Sequence, residues 1–257
     1  MKIDQIKKLL INFDDNIFYE YDLKKKNWFN IGGKSKVFFK ANHLDQLLNF
    51  LKILNNQERI FILGAGSNIL ITDNLFDGVV IKLGKNFSQI TLHSDDIIIA
   101  GSAALDKNLS NFALENHLSG FEFLSCIPGT IGGGISMNAG CFGKEFKDIL
   151  ISVQAIDKLG RVISIPAKEI KFDYRKNNIP EDYIFLSASF KGTKSERNKI
   201  ETVTNELKLK KEKNQPTKVK TSGSTFKNPI SQSSKKVWQL IQESVPLNQS
   251  CGDACIS

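Results

Sequence analysis

Gly64-Ala65-Gly66-Ser67-Asn68 and Ile127-Pro128-Gly129-Thr130-Ile131-Gly132-Gly133-Gly134 are the stretches on which the fold of this 257-residue chain turns. Phosphate oxygens are held by backbone N–H groups that point inward from a tight turn. Glycine lets such a turn take positive φ and lets the backbone approach the anion closely. Neither stretch has the GxGxxG spacing of a dinucleotide-binding turn. Ile69 stands where the third glycine of the first would fall, and Met137 where the last glycine of the second would be. No Gly-Lys-Ser/Thr follows, so neither is a P-loop. One glycine turn alone is compatible with plain chain reversal. Two, joined by Asn138-Ala139-Gly140, point to a diphosphate-bearing ligand lying against several loops.

Around these turns the pattern is mixed α+β without internal repeats. Met1 to Phe13 places Ile3, Ile6, Leu9 and Leu10 at helical spacing among charges, which predicts an amphipathic helix and not a secretory h-region. Lys36 to Lys40 reads as a strand, and Leu44 to Asn55 as a helix with Leu47, Leu48, Leu51 and Leu54 on one face. Arg59 to Leu63 reads as a buried strand feeding the first turn. Gly78 to Leu83 and Ile97 to Ala100 are further strands, and Leu105 to Asn116 a helix with Asp106 as candidate N-cap. Ile151 to Asp157 and Arg161 to Ile165 pair as a hairpin around Lys158-Leu159-Gly160. Tyr183 to Phe190 is a strand and Ile200 to Lys213 a charged helix, ended by Asn214-Gln215-Pro216. The polar stretch Lys191 to Glu196 divides residues 1–195 from 196–257, and the second part is short for a core of its own.

Composition excludes little but sets limits. Hydrophobic residues make up 41% and charged residues 24%, an ordinary globular balance. The excess of 35 basic over 27 acidic residues suits an anionic ligand, and equally reflects a Lys-, Asn- and Ile-rich composition. Four cysteines (126, 141, 251 and 255) without a CxxC pair, and three scattered histidines, predict no metal site. The apolar runs are too short to span a membrane, and a cytoplasmic protein with reduced cysteines is expected.

Further motifs carry a resemblance. The first turn with Ile69-Leu70, Asn27-Trp28-Phe29-Asn30-Ile31-Gly32-Gly33, Gly120-Phe121-Glu122-Phe123-Leu124-Ser125 running into Ile127-Pro128-Gly129, Met137-Asn138-Ala139-Gly140, Phe172-Asp173-Tyr174-Arg175 and Gly223-Ser224-Thr225-Phe226-Lys227-Asn228-Pro229 together resemble the UDP-N-acetylenolpyruvoylglucosamine reductases. The match covers roughly residues 25 to 257. It implies an FAD-binding region of the vanillyl-alcohol-oxidase type (the p-cresol methylhydroxylase fold) in two α+β subdomains, residues 1–195, followed by a substrate domain, residues 196–257. It implies reduction of the enolpyruvyl ether of UDP-N-acetylglucosamine to UDP-N-acetylmuramate in peptidoglycan precursor synthesis. Hydride from NADPH would reach the enol ether by way of FAD.

The resemblance also distributes roles. Gly64, Ala65, Gly66, Ser67, Asn68, Ile127, Pro128, Gly129, Thr130, Gly132, Gly133, Asn138 and Gly140 would hold FAD. Arg175 would stabilise the enolate and Ser224 would protonate its carbon. Asn228 would contact the substrate diphosphate; Lys227, close after Ser224, is a further candidate for the substrate, and Lys213, with Lys211, Lys218 and Lys220, could line the approach for the diphosphate by its charge. A fixed guanidinium suits developing carboxylate-linked charge, and a serine can deliver a proton if its neighbours lower the cost. A soluble monomer acting on a small molecule is expected, with neither nucleic acid nor membrane as partner. Family members continue for a few tens of residues past the Cys251-Gly252-Asp253-Ala254-Cys255-Ile256-Ser257 region, including a catalytic glutamate. The chain as given is therefore expected to be either a C-terminally truncated reductase or an FAD-binding remnant with little turnover, and Glu243 is not assigned the missing role. Truncation is expected to leave unpaired strand edges and an uncovered apolar face.

Two rivals use other features. The basic stretch Lys191 to Lys220 could bind nucleic acid with steep salt dependence, but it lacks interleaved aromatics. The flavin domain could serve another substrate, against which Arg175 together with Ser224 argues.

Overall fold

A computed structural model describes residues 1–11, 13, 16–157, 159–214, 226, 228–229, 232–246, 249–252 and 254–255. They fall into two compact units, Met1–Thr221 and Ser222–Ser257. The first unit holds helices α1 (Ile3–Leu9), α2 (Leu44–Leu54), α3 (Asp106–Glu115), α4 (Ile131–Ser136) and α5 (Arg197–Asn214). Its two principal sheets contain strands β1 (Ile17–Asp22), β2 (Lys34–Ala41), β3 (Ile60–Ile62), β4 (Phe76–Leu83), β5 (Ile90–Ser94), β6 (Ile97–Gly101), β7 (Leu150–Ile156), β8 (Val162–Pro166) and β9 (Ile184–Lys191). No described helix is long and apolar enough to cross a membrane.

The N-terminal sheet has the order β1-β2-β4-β3, with β1 antiparallel to β2 and the remaining pairs parallel. β2 is buried on both faces. Val37, Phe39 and Ala41 pack with Ile6, Leu47, Phe50 and Leu54 from α1 and α2, whereas Phe38 packs with Leu23, Leu63 and Val80. α2 ends where Asn55 takes a left-handed conformation, which asparagine tolerates better than most residues. Lys36, 6% exposed, is held by Glu58 at 2.8 Å and Asp77 at 2.6 Å. Burial works against its charge, but the hydrogen bonds to Asp77 and Glu58 prevail and raise its pKa.

The second sheet is antiparallel throughout, in the order β8-β7-β9-β6-β5. The hairpin β7–β8 forms as the sequence predicts. Asp157 closes it by accepting the amides of Leu159 and Arg161, both at 2.9 Å. One face of this sheet carries Ile98, Ala100, Val153, Ala155, Ala188 and Phe190, covered by α3, α4 and the helical turn Glu122–Cys126. From the other, Ile156, Ile184 and Leu186 join the same core as α1, α2 and β2. The two sheets are thus two α+β subdomains sharing one apolar seam. α5 belongs to this first unit, where it packs on the Glu122–Cys126 turn and α3.

Three local readings are corrected. The Arg59–Leu63 run is an edge strand, with Phe61 40% exposed, because β4 flanks it on one side only. Leu105, not Asp106, is the N-cap of α3. The second glycine stretch is a turn only as far as Thr130, and Ile131–Ser136 is helical despite the poor helix propensity of glycine. Buried Ile131 and Ile135 hold it to the core.

In the second unit, α6 (Val237–Ser244) precedes a short antiparallel pairing of Ser250–Cys251 with Ala254–Cys255. Trp238 on α6 is 60% exposed.

Gly134 lies against the fully buried Phe146, whose ring meets Phe123 and Phe190 edge-on, and a Cβ there would overlap that ring. Gly134→Ala is expected to cost about 1–3 kcal/mol, read as a lower urea midpoint with unchanged slope. Asp106 is fully buried and neither carboxyl oxygen has a hydrogen-bond partner among the described residues. Burial holds its pKa well above the ordinary carboxylate value. A raised folded-state pKa contributes stability fully below the unfolded value of about 3.9, and that contribution is lost as pH rises through the folded value. Asp106→Asn escapes this loss. Its melting temperature relative to the parent should therefore climb as pH rises above about 4, and a constant difference would contradict a buried neutral carboxyl.

Candidate flavin site

The two glycine turns come from different subdomains and meet. A Cβ on Gly64 would lie 2.7 Å from Thr130 Oγ1, so alanine there would crowd that hydroxyl. Gly66 has φ +73° and sits so close to the Lys26 carbonyl that a Cβ would overlap it. The segment containing Asn27 braces this turn. The Trp28 amide donates to the Gly66 carbonyl at 3.0 Å, and the buried Asn27 side chain donates to the carbonyls of Leu23 and Ile31 at 3.1 and 2.7 Å. Among the described residues, the amides of Ala65, Gly66, Ser67 and Asn68 donate to no backbone carbonyl. Those of Gly129, Thr130 and Gly133 do not either. A set of uncommitted amides on two facing turns is what anion binding requires.

Other sequence-predicted cofactor residues are placed differently. The Gly132 amide donates to the Ser102 carbonyl at 2.9 Å, and a Cβ would stand 3.0 Å from Ser102 Cβ, so this glycine allows close packing. Ile127 and Pro128 lead into the turn, the Ile127 amide bonding the Leu124 carbonyl at 3.1 Å. Asn138, 5% exposed, donates to Glu145 at 2.9 Å and accepts the Lys147 amide at 3.2 Å, and Gly140 pairs with Glu145 in a small hairpin. These two residues support the turn through that hairpin.

Two residues that sequence reasoning missed complete the cradle. Lys82, from β4, donates its ammonium to the Gly64 carbonyl at 2.6 Å. Burial, then the neighbouring Lys26 and Lys40 charges, lower its pKa. It brings cationic character beneath the first turn. Asp106 presses its buried carboxyl against the second, since a Cβ on Gly129 would lie 2.5 Å from Oδ2. The crowded glycines, uncommitted amides and this orphaned carboxyl fit a bound FAD, whose diphosphate the turns would take.

Arg175 occupies the two-residue loop of a hairpin in which Phe172–Asp173 pairs with Lys176–Asn177. Its φ is +58°, and its guanidinium lies 5.5 Å from the Tyr174 ring centroid. Asn177 ties this hairpin to the end of α4 by donating to the carbonyls of Ile135 and Ser136 at 3.1 and 3.2 Å. The arginine loop is therefore pinned to the helix that rises from the second turn. Asn177 carries no signal in sequence, because its partners lie 42 and 41 residues away in the chain.

Lys213 is exposed in the last turn of α5, whereas its neighbour Lys211 donates to the Cys126 carbonyl. In the second unit, Asn228 accepts the Val237 amide at 3.0 Å, and Glu243 pairs with Lys235 at 2.7 Å. Ser224 and Lys227 lie outside the described residues.

Residues 35–166 match the FAD binding domain family. The chain is 63% identical over its whole length to the UDP-N-acetylenolpyruvoylglucosamine reductase of Pelagibacter ubique, covering 85% of that protein. Its structure resembles that of the UDP-N-acetylenolpyruvylglucosamine reductase from Thermus caldophilus, with a TM-score of 0.79 and 28% identity, over 94% of this chain and 84% of that one. It shares its fold with p-cresol methylhydroxylase, with a TM-score of 0.53 and 15% identity, over 75% of this chain and 43% of that one. The chain belongs to the UDP-N-acetylenolpyruvoylglucosamine reductase family and is an FAD-dependent oxidoreductase of that family, built on an α+β two-subdomain FAD-binding fold.

Proposed function

We propose that this chain reduces the enolpyruvyl ether of UDP-N-acetylglucosamine to UDP-N-acetylmuramate, with NADPH as hydride donor. The observation that carries the reading is Arg175, held on a hairpin that Asn177 anchors to the helix of the flavin cradle. When bound, FAD supplies hydride-transfer chemistry. The protein's own residues do the rest. Ala65 to Asn68, Gly129, Thr130 and Gly133 would offer amides to the cofactor diphosphate, with Lys82 adding positive potential. Arg175 would meet the substrate carboxylate and stabilise the charge that builds up on it during reduction. A planar fork suits that task better than an ammonium.

Residues 1–195 would serve the flavin and residues 196–257 the substrate, with α5 serving the substrate from its place within the first unit. Ser224 would hand its proton to the enolate carbon, while Asn228, Lys227 and Lys213 would hold the nucleotide diphosphate. Such an enzyme would act as a monomer in the cytoplasmic synthesis of peptidoglycan precursors, and so would serve cell-wall biogenesis, cell shape and division.

Anaerobic titration tests the two halves separately. NADPH should bleach the flavin absorbance, and the enolpyruvyl sugar nucleotide should restore it mole for mole. Bleaching without restoration would leave a flavoprotein that does not use this substrate. Arg175→Lys keeps the charge but loses the fork. It should lower kcat by about 10²- to 10³-fold with flavin affinity unchanged, measured by steady-state NADPH oxidation and flavin titration.

A further inference from the structure

Cys126 and Cys141 have no role in the reaction above, yet the fold brings their thiols together. Cys126 ends the helical turn Glu122–Cys126, immediately before Ile127-Pro128-Gly129. Cys141 follows Gly140 in the strand of the small hairpin that supports the second turn. The turn that Cys126 ends packs directly on the strand that holds Cys141, and each thiol acts on the other's titration. Ser125 Oγ lies 3.7 Å from Cys126 Sγ, the Lys211 ammonium holds the Cys126 carbonyl, and the Lys208 and Lys211 charges act on the thiol. Cys126 is buried, and Cys141, half-exposed, marks the solvent side of the pair.

We propose that Cys126 and Cys141 are a redox-active pair that hydrogen peroxide converts to a disulfide, enclosing residues 127–140, with both glycine motifs of the second turn, in a covalent ring.

The chemistry balances without further reagents. The Cys126 thiolate attacks one oxygen of the peroxide, giving a sulfenic acid and hydroxide. The Cys141 sulfur then displaces the sulfenyl oxygen, and its proton leaves with that oxygen as water. Two thiols have lost two electrons and the peroxide has gained them. The electrostatics favour Cys126 as the attacking sulfur. The neighbouring Cys141 thiol lowers its pKa, as do Ser125 and the two lysines, against the opposing effect of burial. Sharing the proton raises that of Cys141, and burial adds to the rise. A second thiol in contact diverts the sulfenic acid to a disulfide before it oxidises further. Dithiol reductants would reverse the bond by exchange. Closing a ring around the turn restricts the unfolded chain and the cradle alike.

The FAD-loaded protein is exposed to graded hydrogen peroxide, its remaining thiols are alkylated, and the digest is read by mass spectrometry. A peptide linking Cys126 to Cys141, two hydrogens lighter than its reduced parts, should form while the exposed Cys251 is still alkylated. Dithiothreitol should reverse it, and the oxidised protein should melt at a higher temperature than the reduced one. In Cys141→Ser, dimedone should trap Cys126 as a sulfenic acid and the rise in melting temperature should vanish. The proposal is overturned if both thiols in the parent outlast Cys251, or if Cys126 goes to sulfinic acid without a cross-link. The parent measurement decides the matter even if the variant fails to fold.

Discussion

The apolar seam between the two sheets is what the rest of the molecule depends on. Phe39, Phe50 and Val79 on one side meet Ile156, Ile184 and Leu186 on the other within a single core. Each sheet delivers one glycine turn, the first from the end of β3 and the second from the start of α4. On the proposed reading the two turns would hold the diphosphate jointly, because each supplies only part of the uncommitted amides. The Gly64–Thr130 approach exists only because the seam fixes the two subdomains in register. Removal of apolar surface from water thereby becomes geometric precision at the site.

A division of labour follows within the glycine-rich segments. Gly134 and Gly132 serve packing, against Phe146 and Ser102 respectively. Gly66 serves backbone conformation, and Gly64 and Gly129 keep room between the turns and beside Asp106. Residue type alone does not separate these uses. What separates them is whether the amide is already spent on another carbonyl, as it is at Gly132.

Much of the fold was legible because periodicity reports burial. β2 and β4 follow from apolar runs buried on both faces, α2 from its single apolar face and the β7–β8 hairpin from a recognisable turn. β1 and β5 escaped because Ile17–Asp22 alternates among charges and Ile90–Ser94 is a mostly exposed edge. α4 escaped because its glycines hide a helix that tertiary contacts impose. At the site, the turns and Arg175 were legible as motifs. Lys82, Asn177 and the Cys126–Cys141 contact were not, since each acts through a partner remote in sequence. Asp106 was visible as a helix-start residue, but its desolvation follows only from the packing around it.

The left-handed backbone of Arg175 has a consequence for timing. A residue other than glycine in that region carries about 1–2 kcal/mol of conformational strain. Here the strain is met once, when the hairpin closes and Asn177 grips α4. The guanidinium therefore presents itself without waiting for a ligand to organise it. On the proposed function, a charge already oriented would need little rearrangement as the substrate's own charge develops, and the reorganisation energy of the chemical step would be transferred to the folding of the protein.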